Sequence, residues 1–209
     1  MPFHAEPNAG DGEMAREMGY DPDARLLIVN CDDLGSSRSA NIAIERALRR
    51  GIAGSASLMT PCPWARPAAE ACAGLDVGVH LTLTSEYPAY RWRSLTGGKS
   101  LRDKDGYLPR TVHEVWASAD PDEIEEECAA QINLALAWGI DVSHLNSHMD
   151  VLQLDRRHFD MLMRLGARYR LPIRLCRGSF EWPFARISRA LVARAGLVTA
   201  DTFMTPPWG

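Results

Sequence analysis

The chain has 209 residues, of which 46% are hydrophobic and 24% charged, with a formal net charge of −4. That length favours one domain, or one with insertions. The charge balance gives no reason to expect nucleic acid or an anionic membrane as partner. Five scattered cysteines, without a C-x-x-C pair, argue against a disulfide framework or a zinc knuckle and for a reducing, cytoplasmic setting.

Residues 1–24 are polar and lack the basic and apolar regions of a signal peptide. They read as a flexible lead-in to a single domain over 25–209. No stretch approaches the roughly 18 apolar residues of a membrane span. Leu26 to Cys31 is an apolar run closed by Asp32-Asp33 and the turn Leu34-Gly35-Ser36-Ser37, which reads as a buried strand over 26–31. Ser39 caps a helix running to Arg50, with Ile42, Ala43, Ala47 and Leu48 on one face and Gly51 as its stop. Ser55 to Met59 is a second strand, and Pro63 to Ala73 an Ala-rich helix. Asp76 to Thr84 alternates: Val77, Val79, Leu81 and Leu83 face one way, His80 and three small residues the other.

Periodicity then fails from Ser85 to Ala119, a segment long enough to suggest a functional loop or an inserted subdomain. Asp120-Pro121-Asp122-Glu123 opens the next helix as N-cap, first helical proline and capping-box glutamate. Ile124, Cys128 and Ile132 form its inner stripe, and the acidic run to Glu127 reads as a solvated face. Val142 to Ser147 is a strand, and Asp155 to Arg170 a helix with Phe159, Leu162 and Leu165 inward. Leu171 to Cys176 is a strand, and Phe184 to Ala195 a helix. The repeated alternation predicts a parallel α/β architecture.

Three strand ends carry ionisable groups: Asp32-Asp33, His80, and His144 with His148 and Asp150. In one parallel sheet they converge on the carboxyl rim, where such folds place active sites. A carboxylate with two imidazoles suits Zn²⁺, Co²⁺, Ni²⁺, Fe²⁺, Mn²⁺ and, less well, Mg²⁺. Each feature alone has a plainer reading. A DD pair also caps helices, and a single buried histidine is usually hydrogen-bonded core. H-x-x-x-H following strand-like residues supplies one ligand and one supporting histidine more readily than two ligands. His4, His113 and His158 read as structural or exposed. Tyr87, Tyr90 and Trp92 serve equally for stacking on sugars or as local core.

Together, Leu27–Gly35, Asn41, Gly51–Met59, Val77–Thr84 and Ser143–His148 resemble the YdjC-like carbohydrate deacetylases, in order and spacing, from about residue 25 to the end. The resemblance implies a (β/α) barrel related to the polysaccharide deacetylase fold. Because the chain is shorter than the roughly 250 residues of a full (β/α)₈ barrel, a distorted or incomplete barrel with mainly parallel strands is expected. The resemblance also implies one divalent metal ion (Zn, Mg, Co or Ni) on Asp33, His80 and His148, with Asp32 as general base. The expected reaction is removal of an acetyl group from an N-acetylated mono- or oligosaccharide. A homodimer is the expected assembly, with neither nucleic acid nor membrane as partner.

The family usually reads H-x-D-S-H-H-H where this chain has Asn146, Met149 and Asp150 at three of the positions. Its later proton-donating His, in a Cys-His-Pro-like segment, has no counterpart before Pro206-Pro207-Trp208-Gly209. A C-terminally truncated protein is one expectation. Asp150 as substitute acid, with His144 in support, is the other. Two further readings follow from the same residues. One is a catalytically impaired member that keeps metal or sugar binding. The other is a non-haem iron oxygenase, whose usual β-sandwich disagrees with the α/β alternation.

Overall fold

The computed structural model describes residues 15–16, 18–175, 191–200 and 203–204. His4, Cys176, most of the predicted 184–195 helix and the terminal Pro206–Gly209 lie outside them. Four strands, β1 (Asn30–Leu34), β2 (Ser55–Leu58), β3 (Val77–Leu81) and β4 (Val142–Ser147), form one parallel sheet in the order β1-β2-β3-β4. Neighbours in sequence are neighbours in space, with helices in the crossovers, as in an arc of a (β/α) barrel. Ile173 adds a parallel bridge to Leu145 on the far side of β4, extending the arc. Every residue of β2 and β3 is buried, as expected of strands covered on both faces.

Among the described residues, five helices between 38 and 169 flank the sheet: α1 (Arg38–Arg50), α2 (Ala65–Ala71), α3 (Val112–Ser118), α4 (Pro121–Ala137) and α5 (Arg156–Tyr169). Ser37, not Ser39, caps α1, its hydroxyl accepting from the Ala40 amide. Ile44 faces inward and Ile42 is exposed, which shifts the predicted apolar stripe of α1 around its axis. Asp120 caps α4 as predicted, and Ile124, Cys128 and Ile132 are buried.

Two expectations about strand and loop fail for physical reasons. Leu26, Leu27 and Ile28 are 45, 81 and 73% exposed, and the strand begins only at Asn30. Pairing with β2 starts where Val29 accepts from the Gly54 and Ser55 amides, and β1 is an edge of the described sheet. The Asp pair therefore lies within the strand, not beyond it. The acidic residues of α4 are also not all solvated. Glu127 is fully buried and accepts from the Leu95 and Thr96 amides and the Thr96 hydroxyl. Glu123, expected to close a capping box, accepts instead from the Lys99 and Ser100 amides and the Ser100 hydroxyl. These two carboxylates pin the long 85–119 loop to α4. Each carboxylate accepts two backbone amides and a hydroxyl from the loop, so a segment without regular structure is tied to α4 at two points. Within it, Thr111 and Glu114 form the capping box of α3, a helix too short for its periodicity to show in the sequence.

Helix α4 also steadies the end of β3. Gln131 of α4 accepts from the Thr82 amide at 2.8 Å and donates to the Thr82 carbonyl at 2.7 Å. Thr82 in turn donates from its hydroxyl to the His80 carbonyl at 2.6 Å. The backbone that carries His80 is thus anchored through α4 to the loop.

Candidate metal centre

Asp33 reaches the carboxyl rim by a break in the ladder. Cys31 pairs with Ala56 and Leu34 with Leu58, so Asp32 and Asp33 together face the single residue Ser57. Two residues opposite one is a β-bulge, which re-aims side chains. Asp33 takes a left-handed backbone, φ 64°, a conformation that Asp tolerates better than most residues. Successive residues of a regular strand point to opposite faces, and the bulge adds a further turn between the two carboxylates. Gly35, φ 92°, follows at the turn, where a Cβ would lie 2.9 Å from the Ala65 Cα. Asn41 secures that turn by accepting from the Gly35 amide and donating to the Trp64 carbonyl.

His80 projects from the end of β3. His148 opens a short 3-10 turn (His148–Asp150) immediately after β4, where Met149 and Asp150 both have positive φ. Asp33 Oδ1 lies 3.2 Å from His80 Nε2 and 3.2 Å from His148 Nδ1. The two ring nitrogens are 3.2 Å from each other. Atoms bound about 2.0–2.2 Å from one ion, at angles between octahedral and tetrahedral, are roughly 2.8–3.6 Å apart. The triangle fits that range on all three sides. Asp33 Oδ1 is buried but receives no well-formed hydrogen bond among the described residues, although the whole side chain is 44% exposed. A buried acceptor facing two imidazole nitrogens matches the donor set of a cation site.

Each imidazole is held from behind. His148 Nε2 lies 2.9 Å from Glu86 Oε1, and His80 Nδ1 lies 2.7 Å from Asn146 Oδ1. Carboxylate and carbonyl partners of this kind fix the tautomer of metal-ligating histidines. Burial opposes the charged form of His148, but contacts with Asp33 and Glu86 outweigh it and raise the pKa to about 9. Burial also opposes ionisation of Asp33, and the contacts with His148 and His80 reverse that, holding it well below the usual carboxylate range.

A ligating imidazole must be neutral, so an ion here displaces the His148 proton. Ion binding is expected to weaken by up to about tenfold per unit as pH falls below about 9. Asp33 remains ionised through that window. The metal-free chain behaves oppositely: a pKa raised above the unfolded value contributes stability in full below about pH 6.5, lost as pH rises through about 9. Zinc titrations between about pH 6 and 8 check this, and a pH-independent affinity contradicts it.

Asp32 points to a different set of partners. Arg174 binds it bidentately, Nη1 to Oδ1 at 2.5 Å and Nη2 to Oδ2 at 2.7 Å. Oδ1 also accepts from Asn30 at 2.7 Å, Asn146 at 3.2 Å and Ser57 at 3.3 Å. Burial raises its pKa, and the Arg174 hydrogen bond, the His80 and Arg174 charges and Asn30 together leave it lowered. His144 lies deeper along β4. Its ring is bonded to Ser143 Oγ and occupies the space a side chain at Gly78 would need. Asp150 accepts from the Gln153 side chain. His158, read as structural or exposed, is a buried residue of α5, and His113 is exposed.

Sequence reading missed Glu86, Arg174, Asn30 and Ser57. Asn30 was recoverable, since residues i and i+2 of a strand share a face. Arg174, a charge flanked by Ile173 and Leu175, was the other visible signal.

A model of the family described as YdjC-like protein matches residues 26–206. A carbohydrate deacetylase of Thermus thermophilus is 40% identical over 148 residues, covering 70% of this chain and 52% of that protein. A carbohydrate deacetylase of Thermoanaerobacter pseudethanolicus is 29% identical over 183 residues, covering 86% and 68%. The chain thus spans about half to two thirds of the length of these relatives. A solved structure described as a cellobiose-phosphate cleavage protein from Enterococcus faecalis superposes with a TM-score of 0.72 at 24% identity, covering 83% of this chain and 66% of that one. That likeness supports the expected distorted-barrel fold. With four parallel strands wound as in a barrel and a family match over nearly all of the described chain, the protein belongs to the YdjC-like family.

Proposed function

We propose that this chain removes the acetyl group from an N-acetylated sugar by metal-dependent amide hydrolysis. The carrying observation is the three-sided set Asp33, His80 and His148, its ligand atoms mutually 3.2 Å apart, with the Asp32 carboxylate one residue away. The relatives named carbohydrate deacetylases support the substrate class. Asp33 Oδ1, His80 Nε2 and His148 Nδ1 would hold the ion, with zinc, cobalt, nickel and magnesium the metals to test. When bound, such an ion polarises an amide carbonyl and lowers the pKa of water.

The chain's own groups do the rest. Asp32 takes the proton of the attacking water at Oδ2, the oxygen with the single partner Arg174 among the described contacts. Arg174 and Asn30 hold that carboxylate in one orientation and keep it ionised. Glu86 and Asn146 keep the two imidazoles turned toward Asp33. Asp150, two residues beyond His148 on the same rim, is the proposed donor to the leaving amine, with His144 supporting β4 from below.

A cytoplasmic setting is part of the proposal, and among the described residues no helix is long and apolar enough to cross a membrane. The whole of 25–209 is taken as one domain, with a homodimer as its assembly. The test is acetate release from N-acetylglucosamine oligomers after metal loading. Release that requires the metal supports the reading. Tight metal binding with no release under any of the four metals overturns the activity and leaves a binding member of the fold.

A further inference from the structure

Asn146 is fully buried in β4 and touches both halves of the centre. Its Nδ2 lies 3.2 Å from Asp32 Oδ1 and 2.9 Å from Ser57 Oγ, and its Oδ1 lies 2.7 Å from His80 Nδ1. An ionised carboxylate only accepts hydrogen bonds. The end of the amide that faces Asp32 must therefore be the NH₂, and the end that faces His80 the carbonyl. A carbonyl also only accepts, so the proton of a neutral His80 resides on Nδ1. The lone pair is then on Nε2, the atom 3.2 Å from Asp33.

We infer that Asp32, Asn146 and His80 form a hydrogen-bond relay in which Asn146 is the positioning residue. The Asp32 charge fixes the amide orientation, the amide fixes the His80 tautomer, and the tautomer presents Nε2 to the ion. The relay rests on the metal-site reading above. Its far end is anchored, because Arg174 and Asn30 hold Asp32 in place. Asparagine is what makes it work. A carboxylate at 146, the residue of the family pattern, accepts from His80 equally well but has no NH₂ to offer Asp32. The departure that raised the impaired-member reading thus preserves the support of the ligand and adds a link to Asp32.

The test needs no turnover. Nitrogen-15 NMR of the metal-free protein, at a pH where His80 is neutral, reads its tautomer, and calorimetric titration with Zn²⁺ reads affinity. The expected wild-type tautomer is Nδ1–H. Asp32→Asn and Asn146→Leu each weaken zinc binding by about 10–100-fold, the range for partners behind a ligand. The double variant binds about as weakly as Asn146→Leu alone, because the link is already cut. Asn146→Asp keeps the acceptor for His80 but sets a second carboxylate beside Asp32, so it loses less zinc affinity than Asn146→Leu and guards against a leucine variant that fails to fold. A wild-type Nε2–H tautomer, losses that multiply in the double variant, or an Asn146→Asp loss as deep as that of leucine overturns the relay. None of these outcomes depends on acetate release, so the relay and the deacetylase reading fail separately.

Discussion

His148→Ala is expected to bind no metal at the stoichiometry of the wild type and to release acetate only at background rate. The imidazole supplies one of three ligand atoms, and the other two cannot close the set. Asp33 would keep one imidazole at 3.2 Å, from His80. Loss of a ligand exceeds the roughly 10–100-fold penalty for disturbing the groups behind one. A structural cost accompanies it. His148 separates and neutralises Asp33 and Glu86, whose carboxylates lie on opposite sides of its ring. Removing one member of a buried charged cluster leaves the remaining charges uncompensated, a cost of about 3–5 kcal/mol for fully buried pairs and less here, since Asp33 is partly exposed. The metal-free variant should therefore melt below the metal-free wild type. Metal content measured on the folded fraction separates lost ligation from lost fold. Full metal occupancy in folded His148→Ala contradicts the assignment.

Asp32→Asn carries the second large effect, on turnover. Asparagine is nearly isosteric and can still accept from Arg174, so the strand and the bulge should survive. It cannot take a proton at neutral pH. Loss of a positioned general base costs about 10²–10⁴-fold, and with zinc held saturating the loss should appear in kcat with KM little changed. Saturation matters because the relay makes this variant bind zinc more weakly. A variant that retains wild-type kcat at saturating metal removes Asp32 from the proposed proton transfer.

How much of this was legible in the sequence differed by scale. The parallel α/β order, β3 and β4, the α4 N-cap and the inner stripes of α4 and α5 followed from periodicity and caps. The boundaries of β1 did not, because Leu26–Ile28 carry the composition of a buried strand but are 45, 81 and 73% exposed. Glu123 and Glu127 were misread for a related reason: whether a carboxylate faces water or backbone amides depends on a distant loop bringing amides to it. The three proposed ligands were legible as strand-end residues of suitable chemistry, and the structure brings all three together. The groups behind them were not. Glu86 sits in an aperiodic loop and Arg174 near the end of the chain, 62 and 142 residues from their partners His148 and Asp32. Only the fold makes such pairs neighbours. Asn146 was visible as a departure from the family pattern, but its effect depended on which amide end faces Asp32, a fact of geometry.

The most direct measurement is a crystal structure of the zinc-loaded protein with anomalous diffraction at the zinc edge. The account predicts one ion within about 2.0–2.2 Å of Asp33 Oδ1, His80 Nε2 and His148 Nδ1. An ion bound elsewhere, or bound without any one of these three atoms, contradicts it.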